Sequence, residues 1–124
     1  MPLDAVLDAI VLVVAADGEV TDREMELAIA AARDLPSLAS SRDDLERLLG
    51  EAFERFVDEG TDARLAAMGA PDRDARIEIL LAAAAAAAID GPLVEGEIAC
   101  VRRIGEAIGA GEDELERVLA AETR

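Results

Sequence analysis

Two short segments of the sequence carry the residues best suited to chemistry. Residues 15–24 read AADGEVTDRE, and residues 88–97 read AIDGPLVEGE. Both contain the pattern Asp-Gly-x-(Val/Leu)-x-(Asp/Glu)-x-Glu, in which the first and last carboxylates lie seven positions apart. Carboxylate and backbone carbonyl oxygens are the ligands that Ca²⁺ and Mg²⁺ prefer in proteins. These two segments, which we call the corner segments, therefore predict binding of a divalent cation.

The spacing within each corner segment is that of the second half of an EF-hand loop. The first half is missing, because apolar residues hold the positions of its first ligands, and one segment alone offers too few oxygens to hold calcium well. Two corner segments brought together by a pseudo-two-fold axis would provide enough. We therefore predict one joint Ca²⁺ or Mg²⁺ site with four ligands: Asp17, Glu24, Asp90 and Glu97. Weaker candidates in the same segments are Asp22, Glu95 and Glu19.

The same acidic residues also have structural explanations. Asp before Gly is common in turns whatever their function, which applies to Asp17 and Asp90. Thr21 and Glu24 have the spacing of a capping box, in which the glutamate satisfies a backbone N–H. That explanation fails in the second segment, where Val94 replaces the threonine and has no oxygen to offer. Binding and plain structure both remain open for these residues.

The segments that must position these corners have the apolar periodicity of helices. Such periodicity occurs in seven stretches, and the chain has only two aromatic residues, which disfavours strands. We predict helices over about 3–16, 22–34, 41–58, 62–69, 71–89, 95–109 and from 112 onwards, with Pro71 opening the fifth. The alanine run at 82–88 predicts a central helix that its neighbours approach closely. The acids of the third helix predict a solvated face: Asp43, Asp44, Glu46, Glu51, Glu54, Asp58 and Glu59.

An internal repeat organises these helices. Asp17-Gly18 recurs as Asp90-Gly91, and DDLERLL at 43–49 recurs in the same order as DELERVL at 113–119. Each copy has an apolar helix before its Asp-Gly and an amphipathic helix after it. The sequence thus predicts a single all-α domain over residues 1–124, with half-repeats at about 1–58 and 74–124 and a connector at about 59–73.

Composition narrows the classes of partner. There are 28 acidic residues and 12 basic ones, a formal net charge of −16, and every basic residue is arginine. So negative a protein is repelled by phosphate backbones and anionic lipid, which argues against nucleic acid and membrane partners. Cations and basic protein surfaces are better partners.

Composition also argues against enzymatic activity. The chain has no histidine and one cysteine, Cys100, which we interpret as a core residue because its helical neighbours are apolar. These counts exclude a zinc finger, a disulfide framework and a histidine-activated nucleophile, and without lysine there is no phosphate-binding GxxxxGK loop. In the first helix Asp4 and Asp8 stand where a signal peptide would be basic. We expect a non-enzymatic, cytoplasmic protein.

The corner segments and the closing IGAGEDELERVLA resemble the tellurite-resistance TerB-like family over nearly the whole chain. The resemblance implies an all-α bundle of about seven helices with approximate two-fold internal symmetry. It also implies a non-enzymatic cytoplasmic protein linked to stress responses, with an acidic patch that binds divalent cations such as Ca²⁺ and with protein partners. Matching the motif assigns that patch to Asp17, Glu24, Asp90 and Glu97. Pro92 and Gly96 set the second corner segment apart from the first.

Two hypotheses follow. In the first, the protein is a divalent-cation-responsive interaction module whose cation site is formed by both corner segments. In the second, it is a metal-independent scaffold whose acidic surface docks an arginine-rich protein. The first hypothesis requires the two corner segments to meet in space.

Overall fold

The computed structural model describes residues 3–15, 22–33, 41–89 and 95–122, and every regular element in these ranges is an α-helix. The helices are α1 (Leu3–Val14), α2 (Asp22–Arg33), α3 (Arg42–Glu59), α4 (Thr61–Ala67), α5 (Arg73–Ala88), α6 (Glu95–Ile108) and α7 (Glu112–Glu122). The all-α class and the seven helices are thus confirmed over the described ranges, with bounds within two residues of those predicted. None of these helices is long and apolar enough to cross a membrane.

Polar side chains begin two of the helices. The Ser41 side chain accepts a hydrogen bond from the Asp44 N–H at the start of α3, and the Asp72 side chain accepts one from the Ala75 N–H at the start of α5. Each satisfies a backbone N–H that has no partner within its helix. The prediction that Pro71 opens α5 was wrong, because Asp72 is the capping residue and Pro71 precedes it.

Helices α1 and α5 form the centre of the bundle. α5 packs against α1, α2, α6 and α7, and α1 packs against every helix from α2 to α6. The predicted central position of the alanine run is confirmed, since five of its seven alanines are buried: Ala82, Ala83, Ala84, Ala86 and Ala87. These side chains present only a methyl group, so α1 and its other neighbours can approach α5 closely.

The two halves of the chain pack in matching pairs. α1 contacts α2 and α3 as α5 contacts α6 and α7, and α2 contacts α3 as α6 contacts α7. Between the halves, α1 contacts α6 as α5 contacts α2. This is the pattern that two copies related by a two-fold axis through the α1–α5 interface would give, so the packing is compatible with the duplication, which stays a prediction.

A buried carboxylate ties the connector helix to the core. Asp8 of α1 is 3% exposed and accepts hydrogen bonds from two arginines, at 2.6 Å from Arg64 Nη2 of α4 and at 3.3 Å from Arg55 Nη2 of α3. Arg64 also donates to both oxygens of Glu59 at 3.2 Å. The hydrogen bond to Asp8 raises the pKa of the Arg64 guanidinium. In the sequence, the position of Asp8 within an apolar helix is the one sign of this cluster.

Candidate cation site

The predicted ligands divide into those the structure describes and those it does not. Asp17, Asp90 and the weaker candidate Glu19 lie outside the described residues. Glu24 and Asp22 lie in the first turn of α2, and Glu97 and Glu95 lie in the first turn of α6. The described half of the set therefore occupies matching positions in the two halves of the chain.

Glu24 is an unusual carboxylate in this protein. It is 7% exposed, and Asp8 is the other carboxylate buried among the described residues. Glu24 takes part in a hydrogen-bonding or electrostatic interaction within the chain, as the high cost of burying an isolated charge requires. Asp22, two residues earlier, is exposed. Of the first pair, Glu24 is therefore the residue that the fold holds in place.

The acidic residues of α6 show a similar division. Glu97 is half-buried and also interacts within the chain, whereas Glu95 is exposed. All four residues lie at helix N-termini, where the helix dipole favours negative charge by about 0.3–1 kcal/mol each. The dipole is sufficient reason for Asp22 and Glu95 but does not explain why Glu24 and Glu97 are drawn towards the interior.

Contacts at both ends of α1 and α5 bear on whether the corner segments adjoin. The first turns of the two helices line one groove, to which α1 contributes Asp4 and α5 contributes Asp72 and Asp74. Because α1 and α5 pack along each other, both run away from this groove towards the opposite end of the bundle. Near that end the Cys100 thiol donates to the Leu12 carbonyl oxygen, with the sulfur 3.4 Å from the oxygen. The last turn of α1 therefore lies against the second turn of α6.

We call this end of the bundle the corner pole and define it by the last turns of α1 and α5 and the first two turns of α6. Along the chain, the first corner segment begins at the end of α1, and the second runs from the end of α5 to the start of α6. Within the described residues, no group of three or more Asp, Glu or Cys side chains is arranged to hold a metal ion. Asp22, Glu24, Glu95 and Glu97 thus do not form a complete site by themselves, and a joint site depends on the carboxylates of Asp17 and Asp90.

The donor chemistry near the corner pole fits a hard cation. Oxygen is the donor atom of the predicted ligands, which suits Ca²⁺ or Mg²⁺ better than Zn²⁺. Cys100 could offer a sulfur ligand near this pole, but its thiol donates a hydrogen bond to the Leu12 carbonyl oxygen. Burial raises the pKa of its thiol, and Glu97 adds to the effect while Arg103 opposes it. The neutral thiol is a poor metal ligand.

The described acidic residues outside the corner segments include two groups, one on α3 and one beside the groove. The predicted solvated face of α3 is confirmed, since all seven of its acids are exposed. The residues that the sequence analysis missed as a group are the acids beside the groove at the first turns of α1 and α5: Asp4, Asp72, Asp74 and Glu78. Their grouping depends on the packing of helices far apart in the chain. Two of them sit in first turns of apolar helices, which is the only signal that the sequence offers.

Comparison with known proteins adds one finding. A family model described as Tellurite resistance protein TerB matches residues 3–120. The matched range contains both corner segments and extends from the start of α1 into α7. Comparison with curated proteins gave no match, and comparison with solved structures gave none.

Proposed function

The chain belongs to the tellurite resistance protein TerB family, and on that premise we propose that it is a non-enzymatic, divalent-cation-responsive interaction module. Membership of this family associates the chain with tellurite resistance. Cation binding, a protein partner, a stress-linked role and a cytoplasmic location are our proposals for this chain.

The common direction of α1 and α5 is the observation that supports a joint site. Both helices start at one groove, and the Cys100–Leu12 contact sets the end of α1 beside α6. Two loops that leave neighbouring helix ends can combine their carboxylates, whereas loops at opposite ends of the bundle cannot. Asp17, Glu24, Asp90 and Glu97 are the proposed ligands, with Asp22, Glu95 and Glu19 as peripheral acids.

A bound Ca²⁺ or Mg²⁺ would supply positive charge to a chain whose formal net charge is −16. Like charges repel within a compact fold, so a cation held among carboxylates stabilises that fold. Glu24 and Glu97 lie in the first turns of α2 and α6, so their carboxylates would connect the cation to these two helices. We propose that cation binding thereby orders one end of the bundle for a partner.

Thermal unfolding followed by circular dichroism, with and without CaCl₂, tests the proposal. A ligand at a hundred times its Kd adds about 2.7 kcal/mol to the free energy of unfolding. We expect the wild type to be stabilised by calcium and the double variant Asp17→Asn, Asp90→Asn to lose that stabilisation. The matched control is Asp43→Asn, Asp44→Asn, which removes the same charge from the exposed start of α3.

The outcomes separate a site from general screening. If the variant Asp17→Asn, Asp90→Asn is still stabilised by calcium as the wild type is, the cation acts on the overall charge and the joint site is refuted. If the control loses the shift as well, the conclusion is the same. Absence of any shift at millimolar calcium excludes a site of useful affinity.

The second candidate function is a metal-independent acidic scaffold that docks a basic protein. It is favoured by the seven exposed acids of α3 and by the excess of 28 acidic over 12 basic residues in the chain. The same excess disfavours nucleic acid and anionic membranes. Binding of a basic peptide that is indifferent to calcium and to EDTA would select this function.

A further inference from the structure

The groove at the first turns of α1 and α5 has the volume of a ligand cleft. Its volume is about 540 Å³, within the range of roughly 300–1,000 Å³ found for ligand clefts and far more than a lone ion needs. Residues from α1, from the end of α4 and from the start of α5 surround it. It lies at the opposite end of the bundle from the corner pole, so it is distinct from the proposed cation site.

The rim of the groove is acidic. Four carboxylates lie on it: Asp4, Asp72, Asp74 and Glu78. Asp72 is engaged in capping α5. Among the described residues, no arginine forms an ion pair with the other three. The Arg76 guanidinium adjoins one edge of the groove, where it donates to the Pro71 carbonyl oxygen at 3.2 Å and interacts with Asp72. The negative charge that the rim offers to a partner is therefore that of Asp4, Asp74 and Glu78.

The floor of the groove is partly apolar. Alanine and proline side chains line it together with Met68, whereas Ile79, which also borders it, is fully buried. Met68 is 8% exposed, and the unbranched thioether of methionine adapts its shape to different apolar partners. Apolar surface beside an acidic rim suits a side chain or peptide that is apolar on one side and cationic on the other.

We propose that this groove docks a basic amphipathic segment of a partner protein. Arginine or lysine heads of the segment pair with Asp4, Asp74 and Glu78, and an apolar side chain packs on Met68. Charge complementarity selects this occupant, because the rim and the net charge of −16 repel acidic segments and a second copy of the chain. The inference rests on the proposed partner role and names its surface, while it is independent of cation binding.

Fluorescence anisotropy of a labelled synthetic peptide tests the proposal. The probe is a 12-residue helical peptide with three arginines and two leucines on adjacent faces. Two reference peptides replace its arginines by glutamate or its leucines by serine. We expect the wild-type protein to bind the probe and both replacements to weaken binding at least tenfold, with a further loss at high salt because the charges are solvent-exposed.

Two matched variants locate the binding site. The groove variant is Asp4→Asn, Asp74→Asn, Glu78→Gln, and the control is Asp43→Asn, Glu46→Gln, Glu54→Gln on the exposed face of α3. Both remove three negative charges from the surface. We expect the groove variant to bind the probe at least tenfold more weakly than the wild type and the control to stay within about twofold, where tenfold corresponds to about 1.4 kcal/mol.

The methionine methyl groups give a direct structural readout. In ¹³C-methyl-methionine NMR spectra, the Met68 ε-methyl signal should move on addition of the probe. The Met25 signal should stay in place, since its methyl lies 3.9 Å from where a Cβ on Gly50 would be, away from the groove. Movement of both signals to the same extent would indicate a global change and would overturn the docking site.

The remaining outcomes are equally decisive. Equal weakening by the groove and control variants means that overall charge attracts the probe, which refutes the groove while leaving the partner role intact. Failure of the wild type to bind any basic peptide refutes both. If sedimentation shows a dimer that the groove variant abolishes, the occupant is a second copy and the proposed partner is wrong. Thermal unfolding with and without CaCl₂ tests the cation site independently of these peptide experiments.

Discussion

Replacing Asp8 by asparagine should destabilise the protein far more than any surface charge change. The carboxylate is 3% exposed and accepts hydrogen bonds from Arg64 of α4 and Arg55 of α3. Asparagine keeps the size of the side chain but removes the charge that compensates the two guanidinium groups. Arg64 is then left at 11% side-chain exposure without its closest partner.

The size of the effect follows from burial. Breaking a buried ion pair by removing one partner costs about 3–5 kcal/mol, because the other charge stays desolvated. Here Glu59 still accepts from Arg64 at 3.2 Å and is itself half exposed, so the lower end of that range is expected. A loss of about 3 kcal/mol is a large part of the roughly 5–15 kcal/mol typical of a domain, and it should lower Tm by on the order of 10 °C.

Urea unfolding followed by circular dichroism measures this loss, since the chain has no Trp or Tyr to serve as a fluorescent probe. The matched control is Glu26→Gln, which breaks the Arg42–Glu26 pair, whose side chains are 44% and 59% exposed. An exposed pair contributes about 0–1 kcal/mol.

Two results would refute the reasoning. One is an Asp8→Asn variant that unfolds within about 1 kcal/mol of the control. The other concerns the double variant Asp8→Leu, Arg64→Met, which replaces the pair by apolar side chains and should recover most of the lost stability. A double variant as unstable as Asp8→Asn would show that desolvation of Arg64 is not the cause.

Three further predictions concern Glu114, Cys100 and a pair of glycines. The hydrogen bond from Arg76 lowers the pKa of Glu114, so this group stabilises the fold above the ordinary glutamate pKa of about 4.3 and loses that effect as pH falls through its lower folded value. Glu114→Gln should flatten the decline of stability below that pH, and an unchanged decline in urea titrations would contradict it. Because burial raises the pKa of the Cys100 thiol, iodoacetamide should alkylate the folded protein at pH 8 much more slowly than the urea-unfolded protein, and equal rates would contradict this. Gly50→Ala within α3 should add roughly 0.5–1 kcal/mol to the free energy of unfolding. Gly60→Ala should reduce it by about 1–3 kcal/mol, because Gly60 has φ of 87° and ψ of 170°, a conformation that residues with a Cβ avoid; shifts of the same sign would contradict the backbone argument.

The helices could be predicted because their signal is local. Apolar residues spaced by three and four positions define each helix, and the alanine run indicated the centre of the bundle. The start of α5 was misplaced because proline and aspartate are both favoured at helix beginnings, and only the hydrogen bond from Ala75 to Asp72 distinguishes them. Helix bounds therefore depend on individual capping contacts that periodicity does not report.

The buried cluster and the groove could not be predicted because their members are distant in sequence. Asp8 is 47 residues from Arg55 and 56 from Arg64, and nothing in the neighbourhood of Asp8 distinguishes it from the exposed Asp4. The groove likewise joins α1, α4 and α5. All four predicted cation ligands stay predictions: Glu24 and Glu97 are described and drawn inward, and Asp17 and Asp90 lie outside the described residues.

The alanine run of α5 also determines how closely the neighbouring helices pack against α5. A larger residue at its buried positions would have to push a neighbouring helix aside or distort the packing, which typically costs about 1–3 kcal/mol. The alanine side chains consequently fix the distance between α1 and α5. One binding surface is proposed at each end of this helix pair. Substitutions at the exposed ends of these two helices and on the acidic exterior leave this packing intact, so ligand-binding residues there can change without altering the core.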